Sequence, residues 1–362
     1  MRCKKCGNKI KELFTKRGSS YVCRKCLIYK DTIKDKNYKR GKGDYFLNYK
    51  LTLNQQKASR FILESIKLNS DCVLNAVTGA GKTEIIYPLI KFCIDNDYKI
   101  AIAIPRKDVV IELLERVKKD FRNASVIGVY GGNFNELYAD IVILTTHQLY
   151  RYENYFDVIV IDEVDAFPFY NNEMLNHFLK RSTKGNIVYM SATVPNELLN
   201  KKLPVYYLNQ RYHNQKLDIP KVKYLYTKNS VISCIKKHNK GVLIVYFPTI
   251  KMQLEFSKIL KIDHYVINSK TLNRKQLLES LHHCENALIL STLVLERGVT
   301  FKNCNVIVVN ADHNLFSYQN LVQISGRVGR HYLFPCGDII FLVNRKNKQV
   351  KKAINFIKKC NE

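Results

Sequence analysis

From about Leu51 onward, short β-branched runs alternate with longer amphipathic stretches, and that alternation runs through the chain twice. In the first pass the strand-like runs are Cys72–Ala76, Ile100–Ile104, Ser125–Val129, Ile141–Thr145, Val158–Asp162 and Asn186–Ser191. Between them Gln55–Leu68, Lys82–Asp97 and Lys107–Arg122 carry helical spacing. In the second pass the strand-like runs are Lys223–Tyr226, Gly241–Phe247, His264–Ile267, Asn286–Ser291, Val306–Val309 and Asp338–Val343. Strands separated by helices of this length pair in parallel, and the crossovers cover both faces of the sheet. The expected fold class is α/β, with two tandem parallel-sheet domains at residues 46–202 and 223–362. A link at 203–222, marked by Pro204 and Pro220, joins them, and a small basic module at 1–45 precedes them.

Composition removes several function classes. No apolar run approaches the roughly 20 residues that cross a bilayer. The start, Met1-Arg-Cys-Lys-Lys-Cys6, holds no apolar leader, so a cytoplasmic protein is expected. The balance of 59 Lys+Arg against 31 Asp+Glu, formally +28, favours a polyanionic partner. Within the first fifty residues the imbalance is 16 basic against 4 acidic, which concentrates the surplus in that module.

The segment Cys72-Val-Leu-Asn-Ala-Val-Thr78-Gly79-Ala80-Gly81-Lys82-Thr83 reads as an apolar strand, a glycine-rich turn and a helix opening at Lys82. Glycines let backbone N–H groups close around a phosphate, and the helix N-terminus adds its dipole. Lys82 is placed to reach the β- and γ-phosphates of ATP, and the Thr83 hydroxyl to ligate Mg²⁺. Further along, Val158-Ile-Val-Ile-Asp162-Glu163-Val-Asp165 ends an apolar strand in adjacent acids. Asp162 there would hold Mg²⁺ through its water shell, and Glu163 would polarise the attacking water. Leu51-Thr-Leu-Asn-Gln55 reads either as an adenine-reading glutamine motif, with Gln55 the amide, or as a capped helix start.

Four cysteines are paired as Cys3-x-x-Cys6 and Cys23-x-x-Cys26. This spacing fits tetrahedral zinc held by four thiolates, a structural site that folds the module and leaves no open position for catalysis. Lysines and arginines around the pairs make DNA or a partner protein the natural ligand of the module.

The form Ala-x-Thr-Gly-x-Gly-Lys-Thr resembles the phosphate loop of superfamily 2 helicases, which implies RecA-like domains. By the same resemblance Ser191-Ala192-Thr193 couples hydrolysis to movement. The run Gln323-Ile-Ser-Gly-Arg327-Val-Gly-Arg330 is similar to motif VI, which makes Arg327 and Arg330 arginine fingers and places Gln323 in coupling. Ser291-Thr292-Leu-Val-Leu-Glu-Arg-Gly298-Val-Thr300 is similar to motif V, with Gly298 on the nucleotide side and Thr292 on the nucleic-acid side. Pro105-Arg106, Thr145-Thr146 and Phe247-Pro-Thr249 end strands where the family binds a sugar-phosphate backbone; ordinary helix caps are the other reading of each.

A narrower resemblance rests on the N-terminal four-cysteine module, Asp162-Glu-Val-Asp-Ala-Phe-Pro168, Arg211-Tyr-His213 and Leu321-Val-Gln-Ile-Ser-Gly-Arg-Val-Gly-Arg330. Together these resemble the ComFA family of late competence ATPases. The resemblance implies an ATP-driven single-stranded DNA translocase that helps draw transforming DNA into the cytoplasm, at the inner membrane face through partners. ComFC, DprA and the uptake channel protein are the partners it implies, and a homo-oligomer is compatible with it. A PriA-like replication-restart helicase is the alternative enzyme. A zinc-bearing scaffold that uses ATP only as a switch is the alternative of another class.

Overall fold

The computed structural model describes residues 1–27, 29, 33, 38, 40–225, 227–282, 284–295 and 301–362, without the side chain of Lys275. Tyr226, expected as the last residue of a strand, and Gly298, expected at the nucleotide, lie outside the described residues. The chain divides into two compact units. The first comprises Met1–Ala76 with Gly81–Leu208, and the second Val77–Ala80 with Asn209–Glu362.

The first unit opens with an antiparallel hairpin, β1 (Phe14–Arg17) and β2 (Ser20–Cys23). Its main sheet holds β3 (Cys72–Ala76), β4 (Ile100–Ile104), β5 (Val126–Val129), β6 (Ile141–Thr145), β7 (Phe156–Asp162), β8 (Thr183–Ser191) and β9 (Val205–Leu208). All seven run parallel, in the order β5-β6-β4-β7-β8-β3-β9. Every residue of β4, Ile-Ala-Ile-Ala-Ile, is buried. A parallel strand covered by helices on both faces has no solvent side, so it reads as an unbroken apolar run.

The second unit repeats the plan with β10 (Lys221–Tyr224), β11 (Val242–Tyr246), β12 (Tyr265–Ile267), β13 (Ala287–Ser291), β14 (Cys304–Val308) and β15 (Ile339–Val343). Their order is β10-β15-β14-β11-β13-β12, again all parallel. Central strands β11 and β13 are buried throughout, whereas the edge strand β10 is half-exposed and carries Lys221 and Lys223. Lysine on an edge keeps the open ladder from pairing with another chain.

Three local differences from the expected elements have physical reasons. The helical stretch after the phosphate loop divides into Lys82–Ile85 and Tyr87–Asp95, with Pro88 in the first turn of the second piece. Proline has no N–H to give to the turn before it, so it sits comfortably only where a helix begins. Strand β9 lies within the stretch expected as a link; it is short, half-exposed and on the sheet edge beside β3. Too few of its residues face a core to leave an apolar pattern in the sequence. The basic N-terminal segment, for its part, is tied to the first unit at many points. Arg40 Nε pairs at 3.0 Å with the buried Asp140, and Tyr38 donates to the Ala139 carbonyl at 2.6 Å. Lys42 N bonds Asn123 O and Phe46 N bonds Asp120 O, both at 2.9 Å.

Candidate functional site

Strand β3 ends at Ala76, and the chain turns through Val77–Gly81 before the helix begins at Lys82. Gly79 and Gly81 hold φ of 80° and 76°, a left-handed backbone that other L-residues resist. Val77, Thr78 and Ala80 are buried, while Gly79, Gly81, Lys82 and Thr83 are half-buried. At Gly81 the need is also steric, since a Cβ there would meet Gln55 Nε2 at 2.5 Å.

Gln55 itself is buried, and its Oε1 accepts from Thr52 N at 2.9 Å while its own N donates to Thr52 Oγ1 at 3.3 Å. This is a reciprocal capping box for the helix Leu53–Lys67. The side chain therefore caps the helix and rests its amide against Gly81 of the glycine-rich turn.

On the next helices, Arg116 Nη2 donates to Thr83 Oγ1 at 2.6 Å, and its Nη1 lies 3.5 Å from Glu84 Oε1. The hydroxyl expected on Mg²⁺ is thus engaged by a cation from the helix Lys107–Asp120. No local pattern in the sequence points to Arg116, because the pairing joins two separate helices.

The acidic strand end is organised by hydrogen bonds. Asp162 closes β7, and its Oδ1 accepts from Glu163 N at 2.9 Å. Glu163 sits at φ 58°, a conformation costly for a residue with a Cβ and found mostly where surrounding structure imposes it. Asp165 is buried and takes two hydroxyls, Ser191 Oγ at 2.6 Å and Thr193 Oγ1 at 2.5 Å. The Ser191-Ala192-Thr193 turn that ends β8 is therefore fastened to the acidic turn that ends β7. Sequence reasoning passed over Asp165 as a working residue, although its place two residues beyond Glu163 was in view. Asp162 and Thr83 offer hard oxygen donors of the kind Mg²⁺ prefers.

In the second unit, the helix Tyr318–Ser325 ends at Gly326 and leads into Arg327-Val-Gly-Arg330. Gln323 and Arg327 are buried, and Arg330 Nε donates to Gly326 O at 2.8 Å. Burial, helped by the neighbouring Arg327 and Arg211 charges, pushes Arg330 down to about 9. A guanidinium does not give up its proton in practice, so the direction describes a desolvated cation among cations.

The residues expected along a nucleic-acid track are placed unevenly. Pro105 is buried and Arg106, at the start of the helix Lys107–Asp120, is half-buried. Thr145 and Thr146 are both buried, and the Thr146 hydroxyl meets no hydrogen-bond partner among the described residues. The next two residues of this turn, His147 and Gln148, are half-buried. Thr249 caps the helix Ile250–Ile259, its Oγ1 accepting from Met252 N at 3.2 Å. Thr292 is half-buried beyond β13, where its carbonyl accepts from Ser291 Oγ at 3.1 Å.

The four N-terminal cysteines converge. Their sulfurs lie within 4.8 Å of one another, with Cys3–Cys26 at 3.6 Å and Cys6–Cys23 at 3.7 Å. Thiolates at about 2.3 Å around tetrahedral zinc stand roughly 3.8 Å apart, so the cluster fits that ion. Burial pushes the Cys6 thiol up to about 11 and raises Cys26 as well, so those two sulfurs ionise readily only against a cation.

The module is packed against the first sheet's helices. Cys6, Cys23 and Cys26 share a core with Tyr150 and Phe178, and Tyr29 lies 4.7 Å and 5.2 Å from those two rings. The His177 ring nitrogen Nε2 is hydrogen-bonded to Lys4 O at 2.9 Å, and a Cβ at Gly7 would meet His177 Cγ at 2.9 Å.

Two family models match the chain in order: "Type III restriction enzyme, res subunit" over residues 48–196 and "Helicase conserved C-terminal domain" over residues 226–332. Among solved structures, the DEAD-box helicase Mss116 bound to ssRNA and UDP-BeF superposes with a TM-score of 0.64 at 20% identity. That match covers 85% of this chain and 77% of that one, and it establishes the two RecA-like domains. The competence protein ComFA of Streptococcus pneumoniae is 33% identical, over 99% of this chain and 90% of that protein. ComFA of Bacillus subtilis is 31% identical, over 100% of this chain and 86% of that protein. With two relatives matched over nearly all of this chain and both family models in order along it, the chain belongs to the ComFA family of competence proteins, ATP-hydrolysing enzymes of helicase superfamily 2.

Proposed function

We propose that this protein is a DNA-dependent ATPase that moves along single-stranded DNA and helps drive uptake of transforming DNA into the cytoplasm. The observation that carries the reading is the pair of bonds from Ser191 and Thr193 to Asp165. They join the turn that bears the catalytic acids to a turn with no chemistry of its own. A scaffold that only bound ATP would have no need of that link, whereas a motor must pass a change at the phosphates to another part of the molecule.

In this reading Lys82 and the amides of Thr78–Gly81 hold the β- and γ-phosphates, and Gln55 reads the adenine beside that turn. Thr83 and Asp162 would hold Mg²⁺, which when bound screens phosphate charge. Glu163 orients and polarises the attacking water, and its imposed left-handed backbone fixes where that carboxylate points. Arg327 and Arg330 stabilise the charge that spreads over the transferring phosphoryl oxygens. Exchanging Thr83 between Arg116 and Mg²⁺ would free that arginine each time nucleotide arrives.

Arg106, His147 and Gln148 supply phosphate- and sugar-directed donors, which carry no sequence information and suit a translocase. The +28 charge supports a long-range attraction to the strand. Zinc at Cys3, Cys6, Cys23 and Cys26 would fold the module and keep it on the first unit. Partners such as ComFC, DprA and the channel protein would bring the enzyme to the membrane; among the described residues no helix is long and apolar enough to cross one.

The test is steady-state ATPase activity of the purified chain alone and with single-stranded DNA, duplex DNA and RNA. Stimulation by single-stranded DNA above the other two supports the proposal. A preference for RNA makes the enzyme an RNA helicase, and no stimulation by any of them leaves the switch-like scaffold.

A further inference from the structure

Three consecutive residues just beyond β9 close on the turn that carries the two arginines. Arg211 Nη1 donates to Gly329 O at 2.7 Å, and the Tyr212 hydroxyl donates to Arg330 O at 2.9 Å. His213 Nε2 is hydrogen-bonded to the same Gly329 oxygen at 2.8 Å. Arg211 is 2% exposed and is among the largest fully buried side chains. Gly329 holds φ 67°, and a Cβ there would meet Arg211 Nη1 at 2.5 Å, so the turn and the arginine are fitted to each other.

We infer that Arg211, Tyr212 and His213 form a positioning clasp that sets the backbone of the arginine-finger turn for phosphoryl transfer. The argument begins with the carbonyls. Gly329 O takes two donors and Arg330 O one, so the peptide planes on both sides of the Arg330 Cα are held from a distant stretch of chain. Arg330 Nε is bonded to Gly326 O, which restrains its side chain from within. An arginine finger acts only when its fork stands at the transferring phosphoryl group, and displacement by about 1 Å is enough to lose on the order of 10²-fold in rate.

The electrostatics add a second reason. Arg211 adds its charge to those of Arg327 and Arg330, and burial pushes Arg211 down to about 10 while nearby Asp218 opposes the shift. Like charges gathered out of water push apart unless something fixes them. The clasp fixes Arg211 and Arg330 with neutral carbonyl acceptors. Arg211 Nε, also buried, has no hydrogen-bond partner among the described residues. A donor left unmet in a buried cation costs free energy and is tolerated where position matters more than local stability.

Nothing in the arrangement requires Arg211 to touch nucleotide; it acts through the turn. The inference rests on the proposed role of Arg327 and Arg330, and the experiment separates the two. On the whole chain, Arg211→Lys, Tyr212→Phe, the double variant Tyr212→Phe/His213→Ala, and Arg330→Ala as reference are compared for five quantities. These are the thermal midpoint, kcat and KM for ATP, and the dissociation constants for ADP and for ADP with aluminium fluoride, which mimics the transferring phosphoryl group.

The clasp predicts that Arg211→Lys and the double variant lower kcat by roughly 10-fold to 100-fold with KM within about 2-fold. They also weaken the aluminium fluoride complex about as much, while ADP binds as before. Tyr212→Phe shows the same pattern at a few-fold. A merely structural role lowers the thermal midpoint but leaves the ratio of the two affinities unchanged, and that result overturns the inference. If Arg211→Lys fails to fold, the double variant decides. If Arg330→Ala alone destroys the ratio while every clasp variant keeps it, the clasp is wrong and the finger stands. If Arg330→Ala also keeps it, the finger assignment falls and takes the clasp with it.

Discussion

The two parallel sheets share a backbone plan and carry opposite chemistry on their carboxyl edges. The first ends in acids and hydroxyls that bond one another: Asp162 to the Glu163 amide, Asp165 to Ser191 and Thr193. The second leads to guanidiniums held by carbonyls: Arg211 on Gly329, and Arg330 on Gly326. One edge joins acids to hydroxyls and an amide, and the other gathers three guanidiniums with Asp218 near Arg211. Identical architecture therefore says little about what each unit does; the residues at the strand ends decide it. The acidic edge suits a water and a metal ion, and the cationic edge suits a phosphoryl group in transfer.

The largest expected effect on this contrast is at Glu163. Glu163→Gln keeps the size and the left-handed backbone but cannot polarise water. ATP turnover should fall by about 10²–10⁴-fold while a fluorescent ATP analogue still binds. Turnover near wild type would take the acidic edge out of the chemistry. Arg330→Ala, on the opposite edge, should lower kcat by about 10³-fold without weakening ADP. Equal losses of ADP and ATP binding would instead make it a ground-state contact.

Asp165→Asn should be milder and different in kind. The amide still accepts one hydroxyl but no longer as a charge, so basal hydrolysis should stay within about tenfold while stimulation by single-stranded DNA is lost. A proportional fall in both activities would demote the network to a stability role. Replacing Cys6 with Ser should remove bound zinc, read by elemental analysis. Because Cys6 belongs to the first unit's core, it should also lower that unit's thermal midpoint by roughly 10 °C. An unshifted midpoint would mean the module rides on the first sheet without supporting it.

Thr249→Ala, at the end of β11's loop in the cationic unit, should cost about 1 kcal/mol through its lost helix cap and leave DNA affinity within about twofold. A tenfold loss of DNA affinity at unchanged stability would return Thr249 to the nucleic-acid track.

Much of this was legible in the chain itself. Fully buried strands such as β4 and β11 announce themselves as unbroken apolar runs, because both of their faces are covered. Strand β9 did not, because an edge strand of four residues, of which Leu208 alone is buried, leaves no period to read. The phosphate turn was legible because its glycines, Lys82 and Thr83 are neighbours in sequence. Arg116 was not, since it reaches Thr83 from 33 residues away. The Thr145-Thr146 pair shows the opposite error: hydroxyls at a strand end suggest a binding surface, but their burial is a matter of what packs over them.

What the sequence determined alone is the order of its motifs: the glycine-rich turn with Lys82 and Thr83, the acids, Ser191-Ala192-Thr193 and the arginines, each local to one strand or helix end and so written in a short run of residues. It also placed the four cysteines, since thiols separated by two residues in two pairs already have the bite of a metal site. Tertiary structure decided which of these groups act on one another. Asp165 finds Ser191 and Thr193 across 26 and 28 residues, and Arg211 finds Gly329 across 118. Contacts of that span depend on how strands are ordered in a sheet and how a turn is bent against it, and no window of sequence holds both partners.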